Sequence, residues 1–176
     1  DADRTALIEW ARGVNNRGDE VDPDNIQLVA ATAMRPSAHG DVLHSRPVAI
    51  NYGSPSDDPP KVVVFYGGND GVLRAVNGNR TADIAGVPAG AEIWSFLAPE
   101  FYPHIKQLRD NNQQIFFRGE DEADRGSRKE KPYGFDGPLT VYRPTGGTDT
   151  WIYGGLRRGG RMVYAFDVSG ITNTVP

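Results

Sequence analysis

Apolar residues in this chain come in short runs broken by glycine, proline, asparagine and aspartate, the rhythm of a strand-and-turn protein. Residues 47–52 read as a strand, closed by the turn signal Gly53-Ser54-Pro55-Ser56-Asp57-Asp58-Pro59-Pro60. Residues 61–66 form a β-branched run that suits a strand buried on both faces. Gly67-Gly68-Asn69-Asp70-Gly71 then makes a tight turn, because Asn-Asp-Gly supplies residues that tolerate positive φ, with Asp70 bonding its own backbone. Residues 72–76 return as the partner strand. Further strands are predicted at 91–97, 115–117, 139–142, 151–153 and 161–168.

Two segments follow a helical period instead. Near the N-terminus Asp3 is placed to cap a helix, Leu7, Ala11 and Val14 share a face, and Gly13 sits near its end. Residues 99–112 place Phe101, Ile105 and Leu108 on one face, with Pro99 where a helix start tolerates proline. Residues 15–24 are a polar loop. Residues 118–131 hold five acidic and five basic side chains with hardly an apolar one, which predicts a solvated loop.

One phrase occurs twice. Phe65-Tyr66-Gly67-Gly68-Asn69-Asp70-Gly71-Val72-Leu73-Arg74-Ala75 is echoed by Ile152-Tyr153-Gly154-Gly155, running on to Gly159-Gly160-Arg161-Met162-Val163-Tyr164-Ala165-Phe166-Asp167. Internal repetition of a strand–turn–strand unit is the mark of a repeat architecture such as a propeller. A four-stranded blade takes roughly 40–50 residues, so the stretch from Tyr66 to Tyr153 spans two blades or one blade with a long insertion. The helical and charged segment, poor blade material, favours the insertion. The expected fold is mainly β, an incomplete propeller of antiparallel blade sheets with an N-terminal helix and one inserted helix. Residues 1–38 are read as the helix and polar loop. Residues 39–176 are read as the partial propeller, with a helical and charged insertion at about 99–131. The strands are too few to close a ring, so a piece of a longer protein is expected.

Composition narrows the function classes. With 176 residues, 38% hydrophobic and 24% charged, the chain is an ordinary globular protein rich in turns, holding 21 glycines and 13 prolines. A net charge of −4 argues against a general nucleic-acid binder. No apolar run approaches the ~18 residues of a membrane span. The absence of cysteine excludes disulfides, cysteine-ligated zinc and thiol catalysis.

Gly40-Asp41-Val42-Leu43-His44-Ser45-Arg46-Pro47-Val48, the first copy of the repeat, Gly90-Ala91-Glu92-Ile93-Trp94-Ser95-Phe96 with Pro99, Phe135-Asp136-Gly137, and the second copy follow one another in a recognisable order. Together they resemble the C-terminal propeller of PilC/PilY-type proteins, the tip-associated adhesins and assembly factors of type IV pili. Arg74 departs from the family, which often has histidine there. The resemblance implies a portion of a seven-bladed, quinoprotein-like propeller, noncatalytic and exported, at the pilus tip or outer membrane surface of a Gram-negative bacterium. It implies minor pilins, the remaining blades and host receptors as partners, and roles in pilus assembly, twitching motility and attachment. The alternative is a fragment of a pyrroloquinoline-quinone dehydrogenase, whose relatives typically carry a vicinal cysteine pair that this chain lacks.

Candidate chemistry concentrates in the polar loop. Arg17-Gly18-Asp19 is an integrin-type tripeptide, whose aspartate would complete the coordination of a receptor-bound cation. Asp19, Asp22 and Asp24 collect oxygen donors for a calcium ion, although their spacing departs from an EF-hand loop and Pro23 stiffens it. No catalytic residue stands out. His39, His44 and His104 match no zinc spacing, His44 reads as a packing residue, and Trp94, Phe96, Trp151 and Tyr164 read as core.

Overall fold

The computed structural model describes residues 2–173. In chain order the elements are α1 (Ala2–Ala11), β1 (Val48–Asn51), β2 (Val62–Gly67), β3 (Val72–Asn77), β4 (Glu92–Leu97), α2 (Tyr102–Asp110), β5 (Ile115–Phe116), α3 (Glu122–Arg125), β6 (Lys129–Glu130), β7 (Leu139–Tyr142), β8 (Trp151–Gly155) and β9 (Val163–Asp167). Short 3₁₀ turns occupy Pro99–Phe101 and Arg157–Gly159. The protein is built mainly of strands in antiparallel sheets, with a few helices. It divides into two compact units: the N-terminal segment through Gly40 with Phe101–Pro132, and Asp41–Glu100 with the stretch from Tyr133 onward.

The second unit holds two meanders. One sheet has the order β1-β2-β3-β4 and the other β7-β8-β9, every neighbouring pair antiparallel. Their inner faces share one core, in which Val63, Phe65, Leu73, Ala75 and Ile152 are fully buried. Aromatic rings knit β4 to β9: Phe96 lies 5.1 Å from both Tyr164 and Phe166, and Trp94 meets Phe166 edge-on at 5.3 Å. These offset and edge-to-face contacts suit ring quadrupoles and add to the area they bury. In β2 the burial alternates, with Val62, Val64 and Tyr66 only half-buried, so the expectation of two buried faces is corrected. One face of the pleat looks into the core and the other does not.

The turn after β2 follows its local chemistry. Gly71 alone among Asn69-Asp70-Gly71 takes positive φ, at 84°. The Asp70 carboxylate accepts from the Val72 N–H at 3.2 Å, as expected, and also pairs with Arg74 at 2.5 Å. At the end of β3, the buried Asn77 side chain donates to the carbonyls of Ala82 and Val87 and accepts from the Asn79 N–H, tying down the loop that leads to β4.

The first unit is more polar. Asp3 lies inside α1 rather than capping it, in the first turn, where a carboxylate favours the helix dipole. Gly13 follows the helix at φ 102°. The guanidinium of the buried Arg35 lies 4.0 Å over the Trp10 ring and donates to the Trp10 carbonyl. In α2, Ile105 is buried, and Asn111 closes the helix in a left-handed conformation. Residues 118–131 are mostly exposed, as expected, but are not all loop: they form α3 and β6, and β6 pairs in parallel with β5. Their opposite charges meet one another: Arg118 pairs with Glu130 at 2.7 Å and Arg128 with Glu120 at 2.8 Å, while Glu120 also caps the Phe117 N–H.

Candidate functional site

The repeated Tyr-Gly-Gly phrase grips a third segment. Its second glycines use their carbonyls alike: Gly68 accepts from the Phe135 N–H and Gly155 from the Gly137 N–H, each at 3.0 Å. Its first glycines both lie beside Phe135. A Cβ on Gly67 would strike Phe135, and a Cβ on Gly154 would lie 3.5 Å from the Phe135 ring and 2.9 Å from Leu139. Gly134 packs on the backbone of Gly68 and Gly71, and Gly159 packs on the carbonyls of Tyr133 and Gly134. The Gly-rich turns of both hairpins therefore serve close backbone approach to residues 134–137.

That clamp buries Asp136. Its side chain has no exposed surface, yet it carries a carboxylate, which must be paired where it lies. The hairpin between β8 and β9 supplies the partners. Arg158 Nε donates to Oδ2 at 3.0 Å, and Arg157 Nη1 reaches the same oxygen at 3.4 Å. His44, from the segment before β1, places Nδ1 2.9 Å from Oδ1. Burial by itself raises the Asp136 pKa, but the hydrogen bonds from His44 and Arg158 and the Arg158 charge outweigh it and hold the carboxyl below the ordinary aspartate range.

Two further contacts shape the cluster. Arg158 stacks 4.0 Å over the Tyr133 ring, with Nη1 3.2 Å from its hydroxyl. Arg158 Nη2 also lies 2.7 Å from His44 Nδ1. A single nitrogen cannot donate to Asp136 and accept from Arg158 at once, so Nδ1 serves one partner in each tautomer. Arg157 holds φ 50°, a left-handed conformation costing about 1–2 kcal/mol in a residue with a side chain. Chemically, the arrangement is a preorganised cationic face on a buried anion.

His44 is thus corrected from a packing residue to a half-exposed partner of a buried carboxylate. The sequence held a signal for this, an aspartate between Gly134-Phe135 and Gly137, but nothing local pointed to His44 or Arg158.

The polar loop is arranged differently. Arg17 and Asp19 pair with each other at 2.8 Å across Gly18, and Arg17 also donates to the Arg109 carbonyl at 2.5 Å. Asp22 turns both carboxylate oxygens onto its own loop, accepting from the Asp24 N–H at 2.9 Å and the Asn25 amide at 2.8 Å. Among the described residues no group of three or more carboxylates or imidazoles converges as a metal site, so Asp19, Asp22 and Asp24 are not brought together. No helix among the described residues is long and apolar enough to cross a membrane.

Comparison with family models, curated proteins and solved structures finds no match to this chain.

Proposed function

We propose that this chain is a noncatalytic module of a type IV pilus tip-associated adhesin and assembly factor, its two meanders serving as blades of a quinoprotein-like propeller. The observation that carries this reading is the packing of β1-β2-β3-β4 and β7-β8-β9 around one core, with the Tyr-Gly-Gly phrase closing β2 in one meander and β8 in the other. Blades are antiparallel meanders that pack face to face on their neighbours, and sequence repetition follows from that packing. The ordered set of phrases from Gly40 to Val168 supplies the link to pilus tip proteins. In this reading the protein is exported, acts at the pilus tip or outer surface, and works with minor pilins and the remaining blades. Calcium belongs to the reading as a family expectation only.

Deleting the gene from its source bacterium should abolish extended pili and twitching motility, and a plasmid copy should restore both. Unchanged pilus number and twitching in the deletion strain would overturn the reading. The noncatalytic part has its own test. Pyrroloquinoline quinone with calcium, added to the full chain, should produce no dye reduction, and turnover would favour the dehydrogenase alternative.

A further inference from the structure

We propose that the face formed by His44, Arg157 and Arg158 over the buried Asp136 binds an oxyanion, a carboxylate or phosphate group presented by a ligand. The proposal rests on the geometry of this cluster and is independent of the pilus reading.

Three observations carry it. The first is charge: two guanidinium groups converge on one buried carboxylate, so positive charge is left over on the solvent side. Holding a buried aspartate requires its two oxygens to be satisfied, and Arg158 and His44 already do that. Arg157 is therefore surplus to the structural need.

The second is unspent donor capacity. The Arg157 side chain is half-exposed, and its contact with Asp136 engages Nη1 alone, at 3.4 Å. Nε and Nη2 remain as a fork of the shape that grips carboxylate and phosphate bidentately. His44 and Arg158 border it, with side chains 41% and 34% exposed, so a ligand can reach all three.

The third is preorganisation. Arg158 is fixed by Asp136 below it and by the Tyr133 ring beside it. Arg157 stands on a turn held by the Gly159 N–H donating to the Leu156 carbonyl at 2.7 Å, and it keeps a left-handed backbone there. Cations locked in place before binding lose little side-chain entropy on meeting an anion, which is how a small site gains affinity. Strained backbone at a solvent-facing cationic turn fits a site that must aim a side chain.

The test is a titration of the ¹⁵N-labelled full chain at constant ionic strength, with inorganic phosphate in one arm and acetate in the other. Saturable shifts are expected at the Arg157 and Arg158 Nε–H signals and in the amides of residues 134–137 and 157–160. Saturation by phosphate alone identifies a phosphoryl ligand, and saturation by acetate identifies a carboxylate. Arg157→Gln should weaken binding at least tenfold. Arg157→Lys, which keeps the charge and loses the fork, should weaken it several-fold and guards against a folding defect in the first variant. Arg118→Gln makes the same charge change on another part of the chain and should leave affinity within twofold. Linear, unsaturated shifts in both arms would overturn the proposal, as would an Arg157→Gln loss no greater than that of Arg118→Gln.

Discussion

Gly67 and Gly154, equivalent positions of the internal repeat, both lie against Phe135: a Cβ on Gly67 would strike its Cβ and carbonyl oxygen, and one on Gly154 would touch its ring at 3.5 Å. The repeat is thus more than two similar hairpins. Its glycines meet on one short segment, and the carboxylate of Asp136 is buried because they do.

The glycines should respond unequally to alanine. At Gly67 the added methyl meets the Phe135 Cβ and its carbonyl oxygen, so Gly67→Ala should cost about 2–3 kcal/mol, the upper part of the overpacking range. Gly154→Ala meets Leu139 at 2.9 Å, a side chain that can shift, and should cost about 1–2 kcal/mol. A Cβ on Gly155 finds nothing within 4 Å, and Gly155→Ala should stay within about 0.5 kcal/mol of the parent. Urea denaturation midpoints measure all three, and equal losses at Gly154 and Gly155 would contradict the close-approach argument.

Asp136→Asn should lower stability at neutral pH by about 1–3 kcal/mol. Breaking a fully buried ion pair costs more, but both arginines here are partly exposed and screened. The difference should also depend on pH. The folded-state pKa of Asp136 is lowered, so its stabilisation is complete above the unfolded aspartate value of about 4 and is lost as pH falls through the lower folded value. The gap between parent and variant should therefore be flat from about pH 7 to pH 5 and close below about pH 4. A gap that persists unchanged in acid would show that the charge of Asp136 is not what stabilises the fold.

Tyr52→Phe should stabilise the protein by about 1 kcal/mol. The Tyr52 hydroxyl is buried with no hydrogen-bond partner among the described residues. Burial raises its pKa despite the opposing charge of Arg143, whose guanidinium lies 5.5 Å from the ring centre. Phenylalanine keeps the ring under Arg143 and removes the unsatisfied group. A lower denaturation midpoint for the variant would mean that the hydroxyl is in fact satisfied.

Asp19→Ala should leave adhesion to integrin-coated surfaces unchanged and stability within about 1 kcal/mol, the ordinary range for an exposed pair. Arg17 and Asp19 answer each other's charge, and Arg17 is further held by the Arg109 carbonyl. A clear drop in adhesion, with the fold intact, would assign the tripeptide a receptor role.

The strands and turns were legible along the chain because they are set locally. An unbroken β-branched run marks β2, and the conformational freedom of Gly71 marks the turn to β3, while the alternating burial of β2 appears only once the sheet is packed. The helix α2 was legible from Phe101 and Ile105, both of which are buried. The exposure of residues 118–131 was legible in their composition, but α3 and β6 were not, because pairing between charges such as Arg118 and Glu130 is averaged away in composition. The repeat was visible as two hairpins, but its purpose was not. Only tertiary packing brings Gly68 and Gly155 to opposite ends of the Phe135–Gly137 backbone, and only the burial that follows forces Asp136 to recruit His44 and Arg158. Hydrogen bonds between residues so far apart in sequence leave no periodic trace, since each partner is a single residue whose neighbours carry no sign of the contact.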